Sequence, residues 1–451
     1  MQVFYWLLQA VPYVVAFMTA MAVAVMFVMS YHRFAFGLGL LAVTVWLDAA
    51  TQSAPVLQLG VRLYIADLPL IVLGAATALR WAVARDVPWR HPGWLLYVAV
   101  FSINLLWGLA TKGTAAGVQA RGDFYAVVAA SYAMSFPMGR EQVRGLVRAF
   151  VGLLIGLLAL TTYRWIVYYM PITELLPWGG TYNVDGAIRV IGAPQALVIA
   201  QSLLLGLFFA HISAAGASLR LLAPIALGFV VALQHRSVWL AAMVGVLASM
   251  VLARAERMPV WQQVVALSAM VLLVLGGVTL GGRLGQDVVN SAERAATGQG
   301  TVTARFENWR VTLSDWREKG ARNIVMGQGF GADTTRLVSD DDGRVLRIKY
   351  GAHNNYVTQL VGVGVLGFAG FLWALASAVR GLLRICRSAP EDAGWAALLL
   401  VLLAVQLAYY VAYSADYWQS LMVGMAVSAA GAARALKARS AGARVVEARL
   451  A

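Results

Sequence analysis

Five cationic or basic side chains stand where they could act on a phosphorylated substrate: Arg189, His235, Arg236, Arg305 and His353. His353 lies in Gly351-Ala352-His353-Asn354-Asn355-Tyr356, where a polar stretch gives way to an apolar one. With Asn354 or Asn355 as N-cap, the imidazole sits at the positive end of the helix that follows, which disfavours protonation and keeps the ring available as a base. An interfacial histidine with one water partner is the plainer reading of the same residues. Arg189 closes the segment Asn183-Val184-Asp185-Gly186-Ala187-Ile188-Arg189 just before a helix, Arg236 lies in the tight turn His235-Arg236-Ser237, and Arg305 opens an amphipathic segment. Guanidinium forks bind phosphate oxygens two at a time, and several converging forks would fit a diphosphate. Each arginine alone also fits a side chain reaching for phospholipid headgroups. A turn that short, however, keeps Arg236 close to the helix ends and directs it into a shared concavity.

Other candidates carry less. Asp340-Asp341-Asp342-Gly343 lacks the ligand spacing of a calcium loop and reads as a solvated turn. Gly327-Gln328-Gly329-Phe330-Gly331 has no following Lys-Ser/Thr and no βαβ setting, so it is a tight turn beside the active face and not a nucleotide loop. Asp67, Arg164 and Asp416 lie in or next to apolar runs and are functional candidates by position, or interfacial charges. The single cysteine, Cys386, excludes an intrachain disulfide and a thiolate cluster. No metal site and no cofactor are expected.

The elements that must position these groups are helices. Of 451 residues 61% are hydrophobic and 12% charged, and the apolar residues come in runs near twenty, so the chain reads as an all-α polytopic integral membrane protein. Spans are expected at about 11–29, 34–50, 63–79, 94–107, 123–138, 147–169, 194–211, 220–234, 238–253, 260–280, 355–379, 395–413 and 417–435, giving 12–13 transmembrane helices. The first run lacks a basic n-region and is taken as a retained helix. The net charge of +14 reflects basic loops and implies no nucleic acid. Arg80, Arg85 and Arg90, Arg140, Arg144 and Arg148, Arg254 and Arg257, and Arg380, Arg384 and Arg387 fall in alternate loops, which places those loops in the cytoplasm and the 281–352 loop on the outer, periplasm-like face. The connections Thr51–Arg62, Gly108–Gly122 and Pro171–Ala193 share that outer face.

Four regions follow: a transmembrane bundle over 1–280, a periplasmic loop over 281–352, C-terminal transmembrane helices over 353–436 and a basic cytoplasmic tail over 437–451. Within the loop, Ala304 to Lys319 reads as a helix with Thr303 as N-cap and Gly320 as its stop. Phe306, Trp309, Leu313 and Trp316 recur at helical spacing, so this helix lies on the membrane surface, packs as a lid on the transmembrane helices, or does both. Ionisable groups are scarce at mid-membrane depth, which speaks against a secondary transporter and for an enzyme acting on a lipid whose headgroup lies outside.

The order His235-Arg236-Ser237, Arg305-Phe306-Glu307-Asn308-Trp309, Gly327-Gln328-Gly329-Phe330-Gly331 and His353-Asn354-Asn355-Tyr356, the last opening a helix with Gly362, Gly364 and Gly367, resembles the bacterial O-antigen ligase and polymerase superfamily. The resemblance covers roughly residues 180 to 380 and is closest to the O-antigen ligases. It implies a GT-C-like, metal-independent, inverting glycosyltransferase in the bacterial inner membrane. That enzyme would move O-antigen from undecaprenyl diphosphate to a sugar hydroxyl of lipid A-core at the periplasmic face. In such ligases a histidine and two arginines at these positions are essential, which carries over to His353, Arg236 and Arg305; Arg189 is added from its location alone. His235, Asn354 and Trp309 are supporting candidates, His235 standing where relatives often have serine. The resemblance leaves open an O-antigen polymerase, a protein O-oligosaccharyltransferase and, in another class, a lipid or glycan transporter.

Overall fold

The computed structural model describes residues 2–52, 54–59, 61–84, 91–170, 182–184, 187–253, 301–331, 335–339, 345–349 and 352–431. The expected span 260–280, Arg85, Arg90, Arg254, Arg257, the Asp340–Gly343 turn and the tail 437–451 lie outside the described residues. The first helices are α1 (Gln2–His32), α2 (Phe34–Thr51), α3 (Asp67–Val83), α4 (Pro92–Lys112), α5 (Thr114–Met134) and α6 (Arg140–Tyr169). They are followed by α7 (Ala193–Phe208), α8 (Gly216–Ala232), α9 (Arg236–Ala253), α10 (Thr301–Glu318), α11 (Ala321–Met326), α12 (Asn355–Ser388), α13 (Ala393–Tyr409) and α14 (417–431). Five are long and apolar enough to cross a membrane, over Val14–His32, α2, α4, α6 and α12, while α7, α8, α13 and Arg236–Leu252 of α9 are shorter apolar helices. The composition of these helices makes the chain a multi-pass membrane protein.

Burial sorts the helices into layers. From Ala396 to Leu403 every residue of α13 is buried, as is every residue of α14 from Tyr417 to Ala430, so both are enclosed on all sides and form the core with α7 and the second half of α5. At the rim, Val14, Phe17, Met18 and Val25 of α1 and Leu221 of α8 are exposed. Such residues face lipid tails, where their exposure costs nothing.

Two faces bound the bundle. On one, Arg80 donates to the Ser135 and Tyr31 carbonyls and lies over the Phe136 ring at 3.7 Å. Arg140, at the start of α6, shares that end. The other face carries His353 and is called the site face below. There, three antiparallel hairpins join helices: β1 (Leu57–Leu59) with β2 (Val61–Leu63), β3 (Tyr182–Val184) with β4 (Ala187–Arg189), and β5 (Thr335–Ser339) with β6 (Val345–Lys349).

Local structure departs from expectation in three places. The Gly108–Gly122 connection is not a loop. Instead α4 and α5 run on until they meet at Gly113, whose positive φ of 59° supplies the only break that an alanine-rich stretch needs. The surface helix begins at Thr301, so Thr303 lies inside it, although Gly320 ends it as expected. Arg236 is not within a turn but opens α9, the turn itself ending at His235.

The glycine-rich turn after α11 has a structural role. In α12 the helix is interrupted at Gly364 (φ 67°, ψ −177°), and a Cβ there would collide with the Gly327 backbone. The Gln328 N–H donates to the Val361 carbonyl at 3.0 Å, filling the ladder position that the break opens. Phe330 enters with the turn and meets Phe101 of α4 edge-on at 5.1 Å. Nine residues past Asn355, this break lies ~13 Å below the helix start. Non-helical backbone at that depth is tolerated because protein surrounds it.

Candidate active site

The site begins with the cap of α12. Asn354 is extended (φ −153°, ψ 115°) and its side chain accepts the Val357 N–H at 3.1 Å, the N-cap expected from its type. The Asn355 N–H reaches the Tyr410 and Tyr413 carbonyls at 2.8 and 3.2 Å, and its Oδ1 accepts from the Ala415 N–H at 3.2 Å. The first turn of α12 is thereby tied to the segment joining α13 and α14. Below it, Gln359 donates to Asp123 of α5 at 2.8 Å and accepts from Tyr97 of α4 at 2.7 Å. His353, immediately before this anchored turn, adopts the left-handed conformation at φ 45°, a strained choice for a non-glycine residue, and it is exposed.

The surface helix brings the second group. Trp316 is buried with Ala352, Val357 and Val361, while Trp309, Leu313 and Ile324 pack around them. The apolar stripe thus closes on α12 as a lid. Phe306 does not join it: it is 59% exposed and meets Trp309 edge-on at 4.9 Å. Trp309 Nε1–H donates to the Ala352 carbonyl at 2.7 Å, fixing the residue before His353. One turn earlier on the same face, Arg305 lies 5.3 Å from the Tyr413 ring centroid. Partial burial, and after it the Arg305 charge, hold the His353 imidazole below its ordinary pKa. A neutral ring beside a guanidinium is the result.

The third group sits at the start of α9. Arg189, ending β4, donates from Nη2 to the Gln234 carbonyl at 3.2 Å, and His235 Nε2 lies 3.1 Å from the Ile191 carbonyl. His235 is 5% exposed; burial, and then the Arg189 charge, push its pKa down to about 4. Arg236 follows, half-buried. Antiparallel to α9 runs α13, with Gly245 packed on Val405. Nine residues back from Gly245 is ~13 Å of helix, which brings Arg236 level with the Tyr410–Tyr413 segment under Arg305. The structure therefore joins Arg305, Trp309, Asn354 and His353 in one cluster and Arg189, His235 and Arg236 in another, at a common height.

Some neighbours were not legible beforehand. Tyr413, which underlies Arg305, went unmarked, although the run Tyr409-Tyr410-Val411-Ala412-Tyr413 is a dense aromatic signal beside a helix end. Asp416 accepts from the Gln419 N–H at 2.8 Å as it starts α14, and burial pushes its carboxyl up to about 7. Of the other intramembrane charges, Asp67 accepts from the Tyr64 N–H at 2.6 Å and from the Tyr125 hydroxyl, and is the first residue of α3. Arg164 is fully buried among backbone carbonyls. Among the described residues no three His, Cys, Asp or Glu side chains gather into a group that could hold a metal ion.

An enclosed cavity of about 20 Å³ between Tyr97, Asn355, Gln359, Tyr410 and Ser420 has room for little more than a water molecule. No protein among the curated sequences matches the chain. A family model does: residues 221–372, about a third of the chain and the stretch that contains Arg236, Arg305, Trp309 and His353, are similar to the family described as O-antigen ligase.

Proposed function

We propose that the protein is an O-antigen ligase. It transfers O-antigen polysaccharide from undecaprenyl diphosphate to a sugar hydroxyl of lipid A-core, at the periplasmic face of the bacterial inner membrane. The observation that carries this reading is the pairing of a neutral His353 with Arg305 on a lid fastened by Trp309, inside the stretch that matches the ligase family.

In the step proposed, the acceptor hydroxyl oxygen attacks the anomeric carbon of the donor glycan and its proton passes to His353. The bond from that carbon to the diphosphate oxygen breaks on the opposite side, so configuration inverts. Charge developing on the leaving diphosphate falls to Arg236 and Arg305, assisted by Arg189. Asn354 and Trp309 act by holding the backbone on either side of His353. Guanidinium groups supply the countercharge, so the step needs no metal ion or other cofactor.

The reading is tested in bacteria lacking their own ligase. Expression of this chain should restore a ladder of glycan on lipid A-core, and His353→Ala at equal membrane level should not. Longer lipid-linked chains without modified lipid A-core would replace it with a polymerase, and glycan on periplasmic proteins with a protein oligosaccharyltransferase.

A further inference from the structure

Three consecutive residues after β3, from Arg189 to Ile191, are each held by a different long-range bond. Arg189 donates to the Gln234 carbonyl, the Val190 carbonyl accepts from Arg164 at 2.8 Å, and the Ile191 carbonyl faces His235 Nε2. The first and third form a reciprocal pair. A side chain from the strand end binds the backbone of the turn, and a side chain from the turn binds the backbone of the strand end. Gln234 has a positive φ of 52°, so the turn carries a strained residue at a carbonyl that receives Arg189.

The protonation of His235 follows from geometry. A carbonyl only accepts, so Nε2 carries the hydrogen. The other nitrogen, Nδ1, is buried without a partner among the described residues, and a second N–H there would point a charge into a site already facing Arg189. The ring is neutral and acts as a donor of fixed direction. Arg189 Nε is also buried without a hydrogen-bond partner among the described residues. With Nη2 fixed on Gln234, the fold satisfies this guanidinium only in part.

We propose that His235 is a positioning residue for the donor diphosphate. By clamping the Ile191 carbonyl it fixes the strand end that carries Arg189 against the start of α9, so that the Arg189 and Arg236 guanidinium groups are offered to phosphate oxygens from one rigid frame. This rests on the reading above in which these arginines hold the diphosphate.

The test measures kcat and donor KM with undecaprenyl diphosphate-linked O-antigen, using the purified full-length protein and its variants His235→Asn, His235→Gln, Arg189→Ala, Arg236→Ala and His235→Asn/Arg189→Ala. The Asn amide stops short of the Ile191 carbonyl, whereas the Gln amide reaches the place of Nε2. His235→Asn should lower kcat/KM for the donor about tenfold or more per folded molecule, with a raised donor KM as part of it, since misplaced binding groups cost at least that much. His235→Gln should restore it to within about threefold, and the double variant should be no worse than Arg189→Ala. The inference is overturned if Gln is no better than Asn, if the Asn and Arg189→Ala effects multiply, or if Asn lowers only the melting temperature and the active fraction. Unchanged donor KM and unchanged kcat in both Arg189→Ala and Arg236→Ala would instead remove the arginine reading itself. A raised KM in those two with a normal value in His235→Asn removes the clamp alone.

Discussion

Arg164 and Arg189 come within one residue of each other through the Val190 carbonyl, yet they are in opposite condition. Arg164, 2% exposed, gives Nη1 to Val190 and Nη2 to the Ala49 and Ala50 carbonyls at the end of α2. Those carbonyls belong to the last turn of a helix, where no intrahelical donor remains. Its donors are committed to holding α2, α6 and the strand end together. Arg189 gives one Nη2–H to Gln234 and keeps a buried Nε–H without a partner among the described residues. The difference shows that an arginine at the membrane-facing end of a bundle is not a site by virtue of its charge. What separates a binding residue from a brace is whether donors are left over once the fold is satisfied.

That comparison can be broken or sharpened by substitution. The largest effect is expected at His353, where alanine should cost about 10²–10⁴-fold in transfer rate, read in a ligation assay on protein present at normal membrane level. Arg305→Ala should follow, losing about 10²–10³-fold, or about 3 kcal/mol of stabilisation of the leaving group, while the melting temperature in detergent stays close to that of the parent. Arg164→Leu should do the reverse. It takes the Arg164 donors from the Val190 and Ala50 carbonyls and leaves Ala49 only the long Gln52 N–H bond, at about 1–3 kcal/mol for each carbonyl left unmet, so the melting temperature falls clearly while the folded fraction turns over within about threefold of normal. A fully stable Arg164→Leu protein would erase the distinction drawn above.

Smaller effects sharpen the picture around His353. Asn354→Ala removes the cap of α12 and should cost about 1 kcal/mol of stability, measured by denaturation, with a modest loss of rate as the turn frays. The pH profile carries a sign. A base works in its neutral form, and partial burial together with Arg305 depresses the His353 pKa, so activity should persist as pH drops below the ordinary histidine range. Arg305→Gln removes the neighbouring positive charge, raises that pKa and should move the acid limb of the profile to higher pH. A limb that stays in place would detach Arg305 from His353.

Local chemistry made part of this legible in the sequence. Asn354 as a cap followed from its type and from the apolar run after it, and the surface helix followed from the spacing of Phe306, Trp309, Leu313 and Trp316. Thr303, expected as its N-cap, lies inside the helix, which is already helical at Thr301. Hairpins of three to five residues per strand carry too few alternations to show a period, so none was foreseen. The α4–α5 junction was read as a loop because short apolar runs flank it, whereas an alanine-rich stretch with one glycine at Gly113 simply stays helical. The contrast between Arg164 and Arg189 lay out of reach for a different reason. The carbonyls that satisfy Arg164 lie up to 115 residues away, and no local pattern encodes them. Tyr413 under Arg305 is a long-range meeting of the same kind.

The most direct test of the account is single-turnover transfer by purified protein, from undecaprenyl diphosphate-linked O-antigen to lipid A-core in the presence of EDTA, comparing wild type, His353→Ala and Arg164→Leu at equal folded concentration. The account predicts glycan on lipid A-core with wild type and with folded Arg164→Leu, and a rate lower by about 10²-fold or more with His353→Ala. Equal rates for wild type and His353→Ala, or transfer that EDTA abolishes, would contradict it.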